Sequence, residues 1–339
     1  MTTYPEAAEI QETLSNAQCV VILQADNPDG DSLASSLALE QILGDMGIEP
    51  VMYCGVDVPT YLRYIPGWDR VQKEIPKKFD ASIIVDMSAD DLFDSAERSG
   101  QKHALKTKPC IVIDHHQTDD KISFATVTCN KPAVATGEVI YELALQLDWK
   151  LNLTAKEMLA MSIMSDSLGL VSEGTTPRSI HVIAELVEEG VVLARLENDR
   201  RAMMRKSPEL LNYKGALLQR IAYAADNRIA TVDIPWEEIQ KYSPLYNPSM
   251  LVIDDMRMGT DTQVAIAFKI YKDNKVTAKI RCNYGYAIGG ELAEHFGGGG
   301  HKYASGFKVQ DGRPFSEIKS ECLKVATELL DQLQQEKKS

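Results

Sequence analysis

Separated pieces of this chain place acids or imidazoles directly after apolar runs. Ile111-Val112-Ile113 runs straight into Asp114-His115-His116. Cys19-Val20-Val21-Ile22-Leu23 leads into Asn27-Pro28-Asp29-Gly30-Asp31, and Ala81-Ser82-Ile83-Ile84-Val85 ends at Asp86. A helical stretch from Thr154 to Leu168 carries Asp166 near its far end. Short branched aliphatic runs read as buried strands, and parallel strands align their carboxyl ends along one edge, where open α/β sheets bind ligands. The three strand-end groups therefore converge, and a neighbouring helix brings in Asp166. Carboxylates gathered so closely raise one another's pKa, and divalent cations relieve the repulsion. Mostly oxygen donors with a few imidazoles suit Mn2+ or Mg2+ better than a thiolate-rich zinc site. Two such ions about 3.5–4 Å apart serve phosphoryl hydrolysis by clamping the attacking and leaving oxygens. Each piece alone has a plainer reading: a turn at Asn27–Asp31, a helix cap at Asp86, a polar strand end at Asp114–His116. Their joint occurrence after apolar strands favours the metal.

The elements that must position these groups alternate as strand and helix at βαβ spacing, which predicts a parallel, doubly wound sheet. An opening helix spans 5–17, Ser32 caps a helix running to about Gly44, and Val51–Cys54 is a second strand. Helical patterns follow from Ala135 to Leu147 and from Thr154, taken as a cap. Thr175-Thr176-Pro177 opens another helix, which Gly190 stops. Residues 191–226 are helical and charge-rich, with Arg195, Arg200, Arg201, Arg205 and Lys206 read as a solvated helix face. Strand alternation returns at Arg228–Ile234, Val264–Tyr271 and Val276–Cys282, with a turn at Asp273-Asn274. The run Gly297-Gly298-Gly299-Gly300 offers successive amides for an anion-binding nest. Arg281 and His301 add donors, Arg being suited to bidentate phosphate contact. Tyr284 and Tyr286 are open to base stacking or to packing. The expected architecture is α/β: an N-terminal doubly wound, mostly parallel sheet domain over 1–190, a helical linker over 191–226, and a smaller C-terminal α/β domain over 227–339. The charged tail at its end is read as frayed.

The 339 residues are 44% hydrophobic and 25% charged, ordinary for a globular chain. A net charge of −13 excludes general attraction to polyanions, so long duplex nucleic acid is not an expected partner and any anionic substrate needs local metals or arginines. Cys19, Cys54, Cys110, Cys129, Cys282 and Cys322 form no CxxC pair, the usage of free thiols in a reducing compartment. The polar, acidic N-terminus is not a signal peptide, and no apolar run approaches the roughly 20 residues that span a bilayer. The expected setting is cytoplasmic, away from membranes.

Asn27–Asp31 (NPDGD), Ile83–Asp86 (IIVD), Asp114–His116 (DHH), Ser165-Asp166 with Thr175–Arg178 (TTPR), and Gly298–Gly306 (GGGHKYASG) occur in an order that resembles the DHH phosphoesterase family. Within it, the chain is similar to the DHH–DHHA1 branch that includes the stand-alone nanoRNases and phosphoadenosine-phosphate phosphatases. The resemblance implies Asp31, Asp86, His115 and Asp166 around one divalent cation, with Asp86 bridging to a second held by Asp29; Mn2+ is the preferred ion and Mg2+ is admitted. It implies His116 at the substrate phosphate or as an acid near the leaving oxygen, and Asp114 orienting the imidazoles. It also implies a DHHA1-like second domain whose Arg281, Gly298, Gly299, Gly300 and His301 grip the nucleotide. The activity implied is hydrolysis of di- to pentanucleotides to mononucleotides and of 3′-phosphoadenosine 5′-phosphate to AMP. The partner is short single-stranded RNA or a nucleotide, and a homodimer is compatible. The family's histidine four residues before the first Asp is here Ala25, flanked by Gln24 and Asp26. Adjacent strand residues face opposite ways, so Asp26 is poorly placed to replace it, and the second ion's site is expected to be weak. Linear pApA or cyclic-dinucleotide hydrolysis, or nucleotide binding with catalysis impaired by Ala25, stand as alternatives.

Overall fold

The apolar runs of the first half pair into one five-stranded sheet in the computed structural model, which describes residues 3–87, 89, 94–117 and 121–336. The last three residues of the charged tail lie outside the described residues. The strands are β1 (Cys19–Leu23), β2 (Glu49–Tyr53), β3 (Ala81–Val85), β4 (Cys110–Asp114) and β5 (Val127–Asn130), all parallel in the order β2-β1-β3-β4-β5. Every residue of β3 and β4 is buried, because helices cover both faces of the sheet and neither face needs polar residues. Val20 and Ile22 pack with helices α1 (Ala7–Ser15), α2 (Gly30–Asp45), α5 (Thr136–Gln146), α6 (Leu153–Asp166) and α7 (Pro177–Glu188). Val21 and Leu23 pack on the other face with Ala96 of α3 (Asp94–Arg98) and Leu105 of α4 (Lys102–Leu105). The doubly wound reading holds. The chain leaves β1 for β2 on one side and returns to β3 on the other, so the carboxyl ends of β1 and β3 flank the switch point where this strand order binds ligands.

Two helix starts differ from the sequence expectation. Asp29, not Ser32, is the N-cap of α2, with Ser32 completing a reciprocal capping box. Asn152, not Thr154, caps α6 through its side chain on the Ala155 amide. Thr176 caps α7 as its sequence suggests. Strand β5 lacks the long aliphatic run that marks its neighbours.

The chain divides into units Met1–Arg205 and Lys206–Ser339. Within the stretch 191–226, α8 (Leu193–Met203) sends Leu196 into the first unit's core, and α9 (Pro208–Gln219) sends Leu210, Tyr213 and Leu217 into the second's. The arginines of α8 are paired: Arg200 and Arg201 with Glu197, and Arg195 with Glu157. The second unit holds β6 (Ala222–Ala224), β7 (Ile229–Ile234), β8 (Val264–Ile270), β9 (Val276–Cys282), β10 (Gly299–His301) and β11 (Ala304–Val309) in the order β10-β11-β9-β8-β7-β6. Within this second sheet only the β7–β8 pairing is parallel among the described strands. Helices α9, α10 (Trp236–Tyr242) and α11 (Pro248–Met256) cover one face, and α12 (Gly289–His295) and α13 (Phe315–Glu336) the other.

Candidate metal centre

His115 follows the last residue of β4, and its ring is fixed from behind. Its Nδ1 lies 3.1 Å from the Ala133 carbonyl. A carbonyl only accepts, so Nδ1 carries a proton, and in the neutral ring that a metal ligand requires Nε2 presents a lone pair. That Nε2 is buried without a hydrogen-bond partner. It sits 3.4 Å from Asp86 Oδ1, 3.5 Å from Asp166 Oδ2 and 3.6 Å from Asp31 Oδ2. An unprotonated nitrogen facing three carboxylate oxygens has no favourable partner except a proton or a cation. The donor set, oxygen-rich with imidazole, fits a hard divalent ion.

Each carboxylate arrives on a different element. Asp31 is the second residue of α2 and wholly buried; its Oδ1 accepts from Ser35 and Ser162, its Oδ2 from the Thr136 amide. Asp86 follows the last residue of β3 with φ 55°, a left-handed conformation unusual outside glycine, and accepts at Oδ1 from the Thr136 hydroxyl at 3.2 Å. Asp166 is the last residue of α6. Glycines set how closely α6 approaches: a Cβ on Gly30 would collide with Ser165, and one on Gly137 with Ser162. Gly30 thus serves helix packing, not the loop turn that its sequence context suggests.

Burial pushes the Asp31 carboxyl above its ordinary range, against the opposing pull of His115, Ser162 and Thr136. Burial, then the charges of Asp31 and Asp29, drive Asp86 well above that range and Asp166 up to about 7. The cost of crowding these acids is what a cation would remove.

Asp114, also wholly buried, accepts from His116 Nδ1 at 2.8 Å and from the His115 and His116 amides. It therefore orients one imidazole, His116, while the Ala133 carbonyl orients the other. The Asp114 hydrogen bond raises the His116 pKa. His116 is half-exposed, and with Nδ1 committed its Nε2 is the nitrogen left for a substrate. Ligand atoms of Asp31, His115 and Asp166 lie within 4.8 Å of one another, as do those of Asp86, His115 and His116. Asp29 belongs to neither group; it is exposed and accepts the Ser32 amide as the α2 cap.

The place of the missing histidine is apolar. Ala25 is buried with Tyr53, Met87 and Ala96. Asp26 accepts the Ser95 amide at 2.7 Å, so one of its oxygens is already engaged. Gln24 is fully buried, and neither polar atom of its amide has a partner among the described residues. Arg178 of the Thr175–Arg178 element pairs with Glu142 and Glu185. Ser35, Thr136, Ser162 and Ala133 were not anticipated; only Ser162, one helical turn before Asp166, shares its face in a way spacing could reveal.

In the second unit the amides of Gly297 and Gly298 bond to Glu294 and Ala293, closing α12. The four-amide nest expected from the sequence is therefore not formed: glycine here ends a helix and then enters β10 as Gly299-Gly300. His301 is exposed and accepts the Tyr303 amide at Nδ1, leaving the proton on Nε2. Arg281 is half-buried on β9 and donates one bond to the Ile280 carbonyl.

Known proteins agree with this picture. The chain is 23% identical to the bifunctional oligoribonuclease and PAP phosphatase NrnA of Bacillus subtilis, over 89% of this chain and 92% of that one. It is 27% identical to the protein of the same description from Thermus thermophilus, over 83% and 81%. A solved structure described as an exopolyphosphatase-related protein from Bacteroides fragilis superposes with a TM-score of 0.80 at 20% identity, covering 96% of this chain and 97% of that one, a likeness of fold. Residues 19–175 match the DHH family, N-terminal domain, over the strands and helices that gather Asp31, Asp86, His115 and Asp166. The first unit accordingly holds a DHH family N-terminal domain over residues 19–175.

Proposed function

We propose that the protein hydrolyses very short oligoribonucleotides, di- to pentanucleotides, to mononucleotides, and removes the 3′ phosphate of 3′-phosphoadenosine 5′-phosphate to leave AMP. The observation that carries this reading is His115 Nε2, buried, unpartnered and ringed by three carboxylates. The relatives described as oligoribonucleases and PAP phosphatases, alike over most of both chains, support the substrate class. Asp31, Asp86, His115 and Asp166 would hold one divalent cation, Mn2+ by preference, and Asp29 with Asp86 a second, weaker one. The cations supply positive charge to the phosphoryl group and acidify the attacking water. His116 Nε2 meets the phosphate or protonates the leaving oxygen, and the Asp114 hydrogen bond, by raising its pKa, favours the protonated ring that an acid needs. Asp114 keeps that ring in place. Arg281 and His301 of the second unit take a substrate phosphate, with the Gly298–Gly300 run beside them.

The test is a side-by-side panel with Mn2+: labelled dinucleotides, longer RNA, phosphoadenosine phosphate, linear pApA and cyclic-di-AMP. Short RNA and phosphoadenosine phosphate should be consumed and His115→Ala should abolish both. Turnover of pApA or the cyclic compound alone would make the protein a dinucleotide phosphodiesterase instead. Ala25→His addresses impaired catalysis: a large gain in rate would mark the natural site as crippled, and little change is the expected result.

A further inference from the structure

The sheet face that carries Arg281 holds more positive charge than one phosphate requires. Along β9, Val276, Ala278, Ile280 and Cys282 point into the core while Thr277, Lys279 and Arg281 stay half-exposed on the other face. Helices α9–α11 bury that face over β7 and β8, including Ala265 and Ala267. Beyond β8, on β9, β11 and β10, the residues on this side are half-exposed or exposed. The register arranges them in three rungs. Arg281 lies between Ala265 and Ala304, with His301 opposite Ala304; Lys279 lies between Ala267 and Gly306, with Gly299 opposite Gly306; Thr277 lies between Lys269 and Lys308. In the first two rungs a long cation is flanked by side chains no larger than methyl, and a Cβ on Gly299 would meet nothing within 4 Å. Successive rungs are two strand residues apart, about 6.8 Å.

These charges are not neutralised from within. Among the described residues no ion pair involves Lys269, Lys279, Arg281 or Lys308. Burial, and then the neighbouring cation, hold the Lys269 and Lys279 ammonium groups below their ordinary range, Lys269 beside Lys279 and Lys279 beside Arg281. At the Arg281 end stands an aromatic pair. Tyr284, 79% exposed, stacks on Tyr303 with centroids 6.1 Å apart and rings inclined by 21°. The Tyr303 carbonyl accepts the Cys282 amide, which seats the pair next to the first rung. Lys302 lies over the Tyr303 ring at 5.5 Å.

We propose that this face is a track for a short single-stranded oligonucleotide: a terminal base stacks on Tyr284–Tyr303, and successive phosphates sit on the Arg281–His301, Lys279 and Lys269–Lys308 rungs. Positive charge lined up with aromatic rings is how sequence-tolerant single-strand sites are built. The track rests on the phosphoesterase reading and adds length selectivity to it, since a dinucleotide reaches fewer rungs than a trinucleotide.

The experiment measures binding of 5′-phosphorylated RNA di-, tri- and pentanucleotides to the metal-free full chain at several salt concentrations, beside Mn2+-dependent hydrolysis of the same series. The wild type should bind tri- and pentanucleotides more tightly than the dinucleotide. Lys279→Ala with Lys269→Ala should erase most of that difference and make log affinity less steep in log salt by about 0.7 for each phosphate no longer neutralised. Tyr284→Ala should weaken the nucleotides about tenfold and inorganic tripolyphosphate, which has no base, much less. Tyr284 is exposed and Lys269 and Lys279 are half-exposed, and Lys279→Gln with circular dichroism checks that folding is kept. Affinity that ignores length, or a salt slope unchanged in the lysine variants, would overturn the track while leaving hydrolysis intact. Binding as described with no hydrolysis of any RNA would instead overturn the phosphoesterase reading.

Discussion

His115 and Asp31 are held by different kinds of partner, and the difference decides what each tolerates. A single carbonyl, that of Ala133, fixes the His115 ring. Asp31 is gripped at both oxygens, by the Ser35 and Ser162 hydroxyls and the Thr136 amide. Such outer partners keep a ligand's lone pairs aimed, and losing one typically costs about 10–100-fold in metal affinity. Ser162→Ala is expected to fall in that range for Mn2+, read by titration calorimetry with the fold checked by circular dichroism. Unchanged affinity would assign Asp31's orientation to Thr136 and Ser35 alone. Asp86 and the Asp114–His116 run were legible in the sequence because each follows an aliphatic strand that announces itself, and Asp166 because it stands near the end of a helical stretch. Their partners were not. Thr136 and Ser162 sit on helices whose approach to α2 depends on packing between segments far apart in the chain, and a lone serine in a helix carries no sign of what it faces.

Helices and strands divide the work of assembling the site. The parallel strands bring Asp86 and the Asp114–His116 run to one edge, and that convergence could be argued from the βαβ pattern alone. Asp166 arrives only because α6 lies against α2 and α5 at distances that admit no Cβ on Gly30 or Gly137. The sequence suggested a turn role for Gly30, since NPDGD has turn composition; the real constraint is steric and invisible until both helices are placed. Gly30→Ala should therefore push α6 outward. Overpacking of this kind costs about 1–3 kcal/mol, against a helix-propensity gain of at most about 1 kcal/mol. Chemical denaturation should show a net loss of stability, with Mn2+ affinity falling as Asp166 is displaced. Ser165→Gly in the same background should recover part of both. If Gly30→Ala were as stable as the wild type, the tight approach would be relaxed at no cost and Asp166 would be positioned by something else. The same limit explains the glycine run of the second unit: four glycines read as an anion nest, but two of their amides are used in ending α12.

At the scale of the molecule, the gathered acids are a source of instability that a bound cation would relieve. The chain already carries a net charge of −13, and two buried acids are crowded with a half-buried third. Asp31 and Asp86 have carboxyls raised above their ordinary range, and Asp166 is raised to about 7 from 3.8. An acid whose folded pKa lies above its unfolded one binds its proton more tightly when folded. Its contribution to stability is complete below the unfolded value and is lost as pH rises through the folded value. Without metal, melting temperature should thus decline between about pH 4 and pH 7 by this contribution. A bound divalent cation favours the ionised forms, so the stabilisation by Mn2+ should grow over the same window as protons cease to compete. At about a hundred times its dissociation constant an ion adds about 2.7 kcal/mol, or about 5–10 °C in a unit of this size. Asp166→Asn separates the two halves of the argument. It removes one half-buried charge from the cluster, so the metal-free protein should melt higher than the wild type near pH 8 and with a flatter pH profile, while Mn2+ should raise its melting temperature far less. A variant that melted lower in EDTA at that pH would mean the carboxylate is satisfied by its surroundings, and the crowding of acids at this edge would no longer require a cation.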